Sequence, residues 1–137
     1  MKNPRGWEIG TLDIHLHEEG RRDPLFHGLP ATIRVNLTHE DMVCHETLPR
    51  ERIRILAANP KTEVQALAVG DKIRGIQFHP EVTGAVCHAY LQARRHLLAG
   101  QDVDELLRAA ADCPDGTQVI SNFRHFFVEG AAGPQMV

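Results

Sequence analysis

Hydrophobic and polar positions change their period twice along this chain. Leu12, Ile14 and Leu16 alternate with Asp13, His15 and His17, the two-residue period of a half-exposed strand. Ile33, Val35 and Leu37 repeat it. Between them Asp23-Pro24-Leu25-Phe26-His27-Gly28-Leu29-Pro30 is dense in turn formers but carries three apolar anchors, so it reads as a loop or short helical turn pinned to a core. Ile53 to Ala58 is a third apolar run, broken by Asn59-Pro60. Val64 to Val69 and Ile73 to Phe78, separated by Gly70-Asp71, read as a β-hairpin.

Past Phe78 the spacing becomes helical. Val86, Ala89, Tyr90, Ala93 and Leu97 predict one amphipathic helix that stops at Gly100. Asp102 followed by Glu105 has the form of a capping box for a second helix, with Leu106, Leu107 and Ala110 inward and Pro114 as its end. A third, capped by Thr117, would place Ile120, Phe123 and Phe127 on one face. Strands first and helices last predict an α/β or α+β domain. The connections between strands are short, so the strands are expected to be antiparallel, because a parallel crossover needs a dozen residues or more.

Composition narrows the function classes. The 137 residues, 42% hydrophobic, suffice for one domain or part of one. Fifteen Lys and Arg stand against eighteen Asp and Glu, for a formal net charge of -3, and no basic cluster exceeds a pair, so nothing suggests a nucleic-acid surface. No window approaches the apolar length of a membrane span, and a cytoplasmic location is expected. Three widely spaced cysteines, Cys44, Cys87 and Cys113, form neither a disulfide framework nor a C-x-x-C motif. Nine histidines raise the question of a metal. His15 and His17 project from one strand face, but two such ligands make half a site, and no third stands at a spacing that closes tetrahedral zinc. No metal and no cofactor are expected. Arg94, Arg95 and His96, near a helix C-terminus, read as solvated charges that complement its dipole.

The stretch that carries chemistry is Gly75-Ile76-Gln77-Phe78-His79-Pro80-Glu81, which sets a histidine and a carboxylate between an apolar strand and a helix. Pro80 fixes its own φ and biases His79 toward an extended backbone, so the pair can hold a defined relation. An imidazole oriented by a carboxylate can take the proton of a cysteine nucleophile. The plainer alternative is a surface histidine beside a glutamate favoured by a helix N-terminus.

This stretch, with Asn3-Pro4-Arg5-Gly6-Trp7-Glu8-Ile9-Gly10, Asp23 through Pro30, Thr38-His39-Glu40-Asp41-Met42-Val43, Leu48-Pro49 and Val64-Gln65-Ala66 in order before it, resembles the class I glutamine amidotransferases, in particular stand-alone members similar to the amidotransferase domain of GMP synthase. The resemblance implies part of a flavodoxin-like α/β domain, residues 1–137 being its C-terminal portion. It implies hydrolysis of the glutamine side-chain amide through a cysteinyl thioester. His79 would be the general base and Glu81 its orienting carboxylate, while Thr38 and His39 would lie in the loop beside the glutamine α-amino and α-carboxylate groups, met largely through main-chain atoms. The family's Gly-x-Cys-x-Gly elbow, which precedes these blocks in relatives, does not occur in the sequence, and none of the three cysteines is flanked by the glycines such an elbow needs. The expected partners are glutamine and either an upstream half-domain or an acceptor or synthase subunit. A non-catalytic binding or regulatory remnant and a γ-glutamyl hydrolase are the alternatives.

Overall fold

The computed structural model describes residues 1–133. Five strands form one sheet in the order β2-β1-β3-β4-β5, every pair antiparallel: β1 is Glu8–Leu16, β2 Thr32–His39, β3 Ile53–Ala58, β4 Ala66–Val69 and β5 Ile73–Ile76. The helices are α1, Glu18–Arg22, between β1 and β2, and α2, Gly84–Ala93, α3, Val103–Ala109, and α4, Pro114–Asn122, after the sheet. A π-helical turn, Phe123–Val128, extends α4. This is the mixed α/β arrangement of antiparallel strands followed by helices that the sequence predicts.

The longest pairing, β1 with β2, runs from Glu8 opposite His39 to His15 opposite Thr32. Toward its C-terminal end β1 alternates as predicted, with Ile14 and Leu16 buried and Asp13 and His15 exposed. Toward its start it is covered on both faces. Ile14 and Leu16 join Phe26, Ile33, Val35, Leu37, Leu56 and Phe78 in the main core, whereas Ile9 packs with Val82, Cys87, Leu91 and Leu98 in a second one. Each of these buried large apolar side chains contributes about 1.5–3 kcal/mol relative to exposure. Leu25 and Phe26, in a 3-10 turn capped by the Asp23 carboxylate, are buried as the anchors their sequence suggested. The hairpin turns at Gly70, whose φ of 57° suits glycine, but its paired part is shorter than the apolar run, ending at Ile76.

Several helical expectations need correction. The inward face of α2 is Gly84, Cys87 and Leu91, while Val86 and Ala89 are exposed, so the predicted phase is one residue off. At Gly84 the backbone of residues 111 and 112 passes too close for any side chain: a Cβ there would lie 2.7 Å from the Ala111 carbonyl carbon. Pro114 opens α4 at its first turn instead of ending α3, a position where its missing N–H costs nothing, and Thr117 is not a cap. The buried face of α4 is Gly116, Val119 and Asn122, because Asn122 donates to the Leu25 and His27 carbonyls. Phe127 packs on the main core, whereas Phe123 stacks on Phe127 and is 37% exposed. Asp102 does cap α3, accepting from the Glu105 amide at 3.0 Å. The short α1 had no periodic signal; Gly20 permits it, since a Cβ there would lie 2.0 Å from the Leu56 carbonyl oxygen.

Candidate active site

His79 leaves the sheet just after β5, in the turn before α2. Its amide donates to the Asn36 carbonyl at 2.9 Å, and the Val82 amide closes the turn on the His79 carbonyl at 3.1 Å. The Asn36 side chain holds the other end of this turn, donating to the Val82 carbonyl at 2.8 Å and to that of Ala111 at 3.1 Å. Thr11, on the neighbouring strand, donates to Asn36 Oδ1 at 2.6 Å. Asn36 and Thr11 are buried polar residues that sequence reasoning missed. The available signal was an asparagine set between Val35 and Leu37 inside a strand, where its low β-propensity calls for a hydrogen-bonding reason.

Within the turn, His79 Nδ1 and Glu81 Oε1 are 2.6 Å apart. The two side chains are 38% and 69% exposed, so the pair faces outward from the core. Burial is the largest single influence on the Glu81 carboxyl and opposes its charge, but the hydrogen bond from His79, one from its own backbone and the His79 charge together outweigh it and hold the carboxyl below its usual range. Carboxylate contact at Nδ1 selects the tautomer with its proton there and leaves Nε2 as the free acceptor of a neutral ring.

Thr38 and His39 end β2, two and three residues beyond the strand position that binds His79. The Thr38 hydroxyl accepts from Arg94 at 2.5 Å. Arg94 is thus not simply solvated, since its guanidinium also lies over the Tyr90 ring at 4.6 Å and the Trp7 ring at 5.9 Å. Arg95 does lie at the surface, paired with Asp104. His39 Nδ1 is 2.9 Å from the Asp41 carbonyl oxygen, and its Nε2 is 3.0 Å from Glu8 Oε1, a charge contact that is off-line for a well-directed hydrogen bond.

Neither Cys87 nor Cys113 resembles a poised nucleophile. Cys87 is buried in α2, and burial raises its pKa despite a contact with Thr11. Cys113 is pushed up to about 11, by burial first and then by Cys87. Cys44 sits near the chain start, in a groove shared with Met1, Met42 and Lys61. A cleft of about 390 Å³ beside the turn is lined by Pro80, Val82, Thr83, Asp112, Cys113 and Thr117, with neither His79 nor Glu81 in its wall. Among the described residues no three His, Cys, Asp or Glu side chains group as a metal site, and no helix is long and apolar enough to cross a membrane.

Residues 4–96 match the family glutamine amidotransferase class-I, and the chain belongs to that family. Among individual proteins, it is 34% identical over 113 residues to GMP synthase [glutamine-hydrolyzing] of Staphylococcus aureus, an alignment that covers 80% of this chain and 18% of the relative. Of solved structures, a glutamine amidotransferase from Thermotoga maritima superposes with a TM-score of 0.65 at 24% identity, over 90% of this chain and 52% of that one. A glutamine amido transferase from Methylobacillus flagellatus gives 0.70 at 14% identity, over 99% and 57%. These superpositions speak for the fold alone. The chain spans less than a fifth of the length of the curated relatives it matches and little more than half of the similar solved chains.

Proposed function

We propose that this chain supplies the base and its orienting carboxylate to a Cys-His-Glu glutaminase site, and that the nucleophile comes from residues outside these 137. The observation that carries the reading is the 2.6 Å contact between His79 Nδ1 and Glu81 Oε1. With Nδ1 so engaged, Nε2 can take the proton of a cysteine thiol as the sulfur attacks the glutamine side-chain carbonyl. The proton then passes to the leaving nitrogen, ammonia departs, and water hydrolyses the thioester to glutamate. Glutamine is the proposed substrate, with Thr38 and His39 beside its α-amino and α-carboxylate groups. An upstream half-domain, or an acceptor or synthase subunit, is the proposed partner.

The decisive experiment mixes this chain with a separately produced upstream half-domain carrying a glycine-flanked cysteine, and measures glutamate release. Glutaminase activity is expected to appear on mixing and to vanish with His79→Ala. An equal rate with the variant would sink the reading. A second reading is a non-catalytic domain that retains only glutamine binding. It predicts a calorimetric signal with glutamine and no turnover in the mixture.

A further inference from the structure

Glu8 is a fully buried carboxylate at the start of β1, 2% exposed, in a chain whose other acidic side chains mostly face solvent. Isolated, such a charge is prohibitively costly. It is kept by convergent donors: Asn59 Nδ2 at 2.6 Å, Gln65 Nε2 at 2.7 Å, the Thr62 hydroxyl at 3.1 Å, and His39 Nε2 at 3.0 Å as its charge partner.

These contacts close into a ring that includes both segments of the candidate site. In one direction, His39 carries the connection through Nδ1 to the Asp41 carbonyl. In the other, Gln65 accepts at its own carbonyl from the Gln77 amide at 2.8 Å, and the Gln77 side chain reaches the same Asp41 carbonyl at 3.4 Å. Gln77 is two residues before His79. A second strut runs from Thr62 through the Asn3 side chain, whose backbone amide donates to the Glu40 carbonyl at 2.8 Å.

We propose that Glu8 is a positioning residue for the glutamine site, the buried joint that fixes the Thr38–Asp41 loop and the Gln77–Glu81 turn in one arrangement. This rests on the reading of the site given above. Glu8 contacts neither His79 nor Glu81; it acts through His39 and Gln65. Its ionised form is part of the device. Burial alone would raise its pKa, but the close His39 imidazole and the hydrogen bonds from Asn59 and Gln65 together win, and the carboxyl sits below its usual value. The charged groups facing it are His39, from the end of β2, and Lys61, from the β3–β4 connection, whose ammonium is bonded to the Trp7 carbonyl.

The test is amide hydrogen exchange in the 137-residue chain carrying Glu8→Gln, which keeps volume and removes charge. Exchange at Met42 and Gln77 is expected to quicken about tenfold or more while amides at the centre of the β1–β2 ladder keep their protection. In parallel, the loss of stability on acidification below about pH 4.5, where a carboxyl lowered in the folded state stops contributing, should flatten in Glu8→Gln. Unchanged exchange at Met42 and Gln77, or an equal rise at every amide, would overturn the proposal. Should Glu8→Gln not fold, Thr62→Val, which removes one donor, is measured at the same amides with a smaller rise expected and the same overturning results. Glutamine titration of the chain mixed with the upstream half-domain separates the two ideas: binding weakened about fivefold in Glu8→Gln supports both, while a wild-type mixture that binds no glutamine removes the site reading and leaves the exchange result to decide whether Glu8 joins the two segments.

Discussion

The contact between His79 and Glu81 was legible from seven consecutive letters because the two side chains lie within three residues of chain, and a proline between them restricts the backbone. Asn36 and Glu8 were not, since their meaning comes from partners 46 and 57 positions away. The short-range pair makes a direct prediction. In the reconstituted glutaminase, Glu81→Gln removes the charge that selects the His79 tautomer and should lower kcat about 10²-fold or more, with a smaller change in KM. Steady-state kinetics against glutamine checks this; a variant within twofold of wild type would mean that the carboxylate orients nothing. Thr38 and His39 are assigned to the proposed site only through resemblance, because a threonine and a histidine ending a strand have many uses. Their observed contacts, to Arg94 and Glu8, are long-range, and no local pattern predicts them.

At the scale of elements, strands were read better than helices. In β2 the alternation of Ile33, Val35 and Leu37 with Thr32 and Arg34 is real, since one face of that part packs on the core and the other meets solvent. In α2 the inward face is made of small residues, and small residues carry little hydrophobic signal. Close approach decides that phase, and it can be tested. Gly84→Ala would set a methyl 2.7 Å from backbone of residue 111, and Gly20→Ala would set one 2.0 Å from the Leu56 carbonyl oxygen. Neither neighbour is a flexible side-chain end, so each variant should lose about 1–3 kcal/mol in urea unfolding, with Gly20→Ala the worse. A Gly20→Ala protein as stable as wild type would show that α1 does not hold its place against β3.

The molecule as a whole combines two cores on opposite faces of β1 with acid- and base-sensitive groups buried or half-buried around them. Cys113 illustrates the alkaline side. Its pKa is raised from 9.0 to about 11, so its contribution to stability is complete below pH 9 and is lost as pH rises toward 11, because the unfolded thiol ionises first. Thermal melts between pH 8 and 11 should show a decline that Cys113→Ser reduces, and an identical slope in the variant would count against burial as the cause. The sequence by itself determined the order of elements, the antiparallel character that short connections impose, the family, and the His-Pro-Glu turn, because each is written in local spacing or in adjacent residues. Only the tertiary structure decided which helix faces turn inward, that Pro114 begins a helix, and that Glu8, Gln65, Gln77, Asp41 and His39 meet in one ring. Those outcomes depend on how closely distant backbones approach and on where a buried charge finds its donors, and neither is encoded within any single stretch of chain.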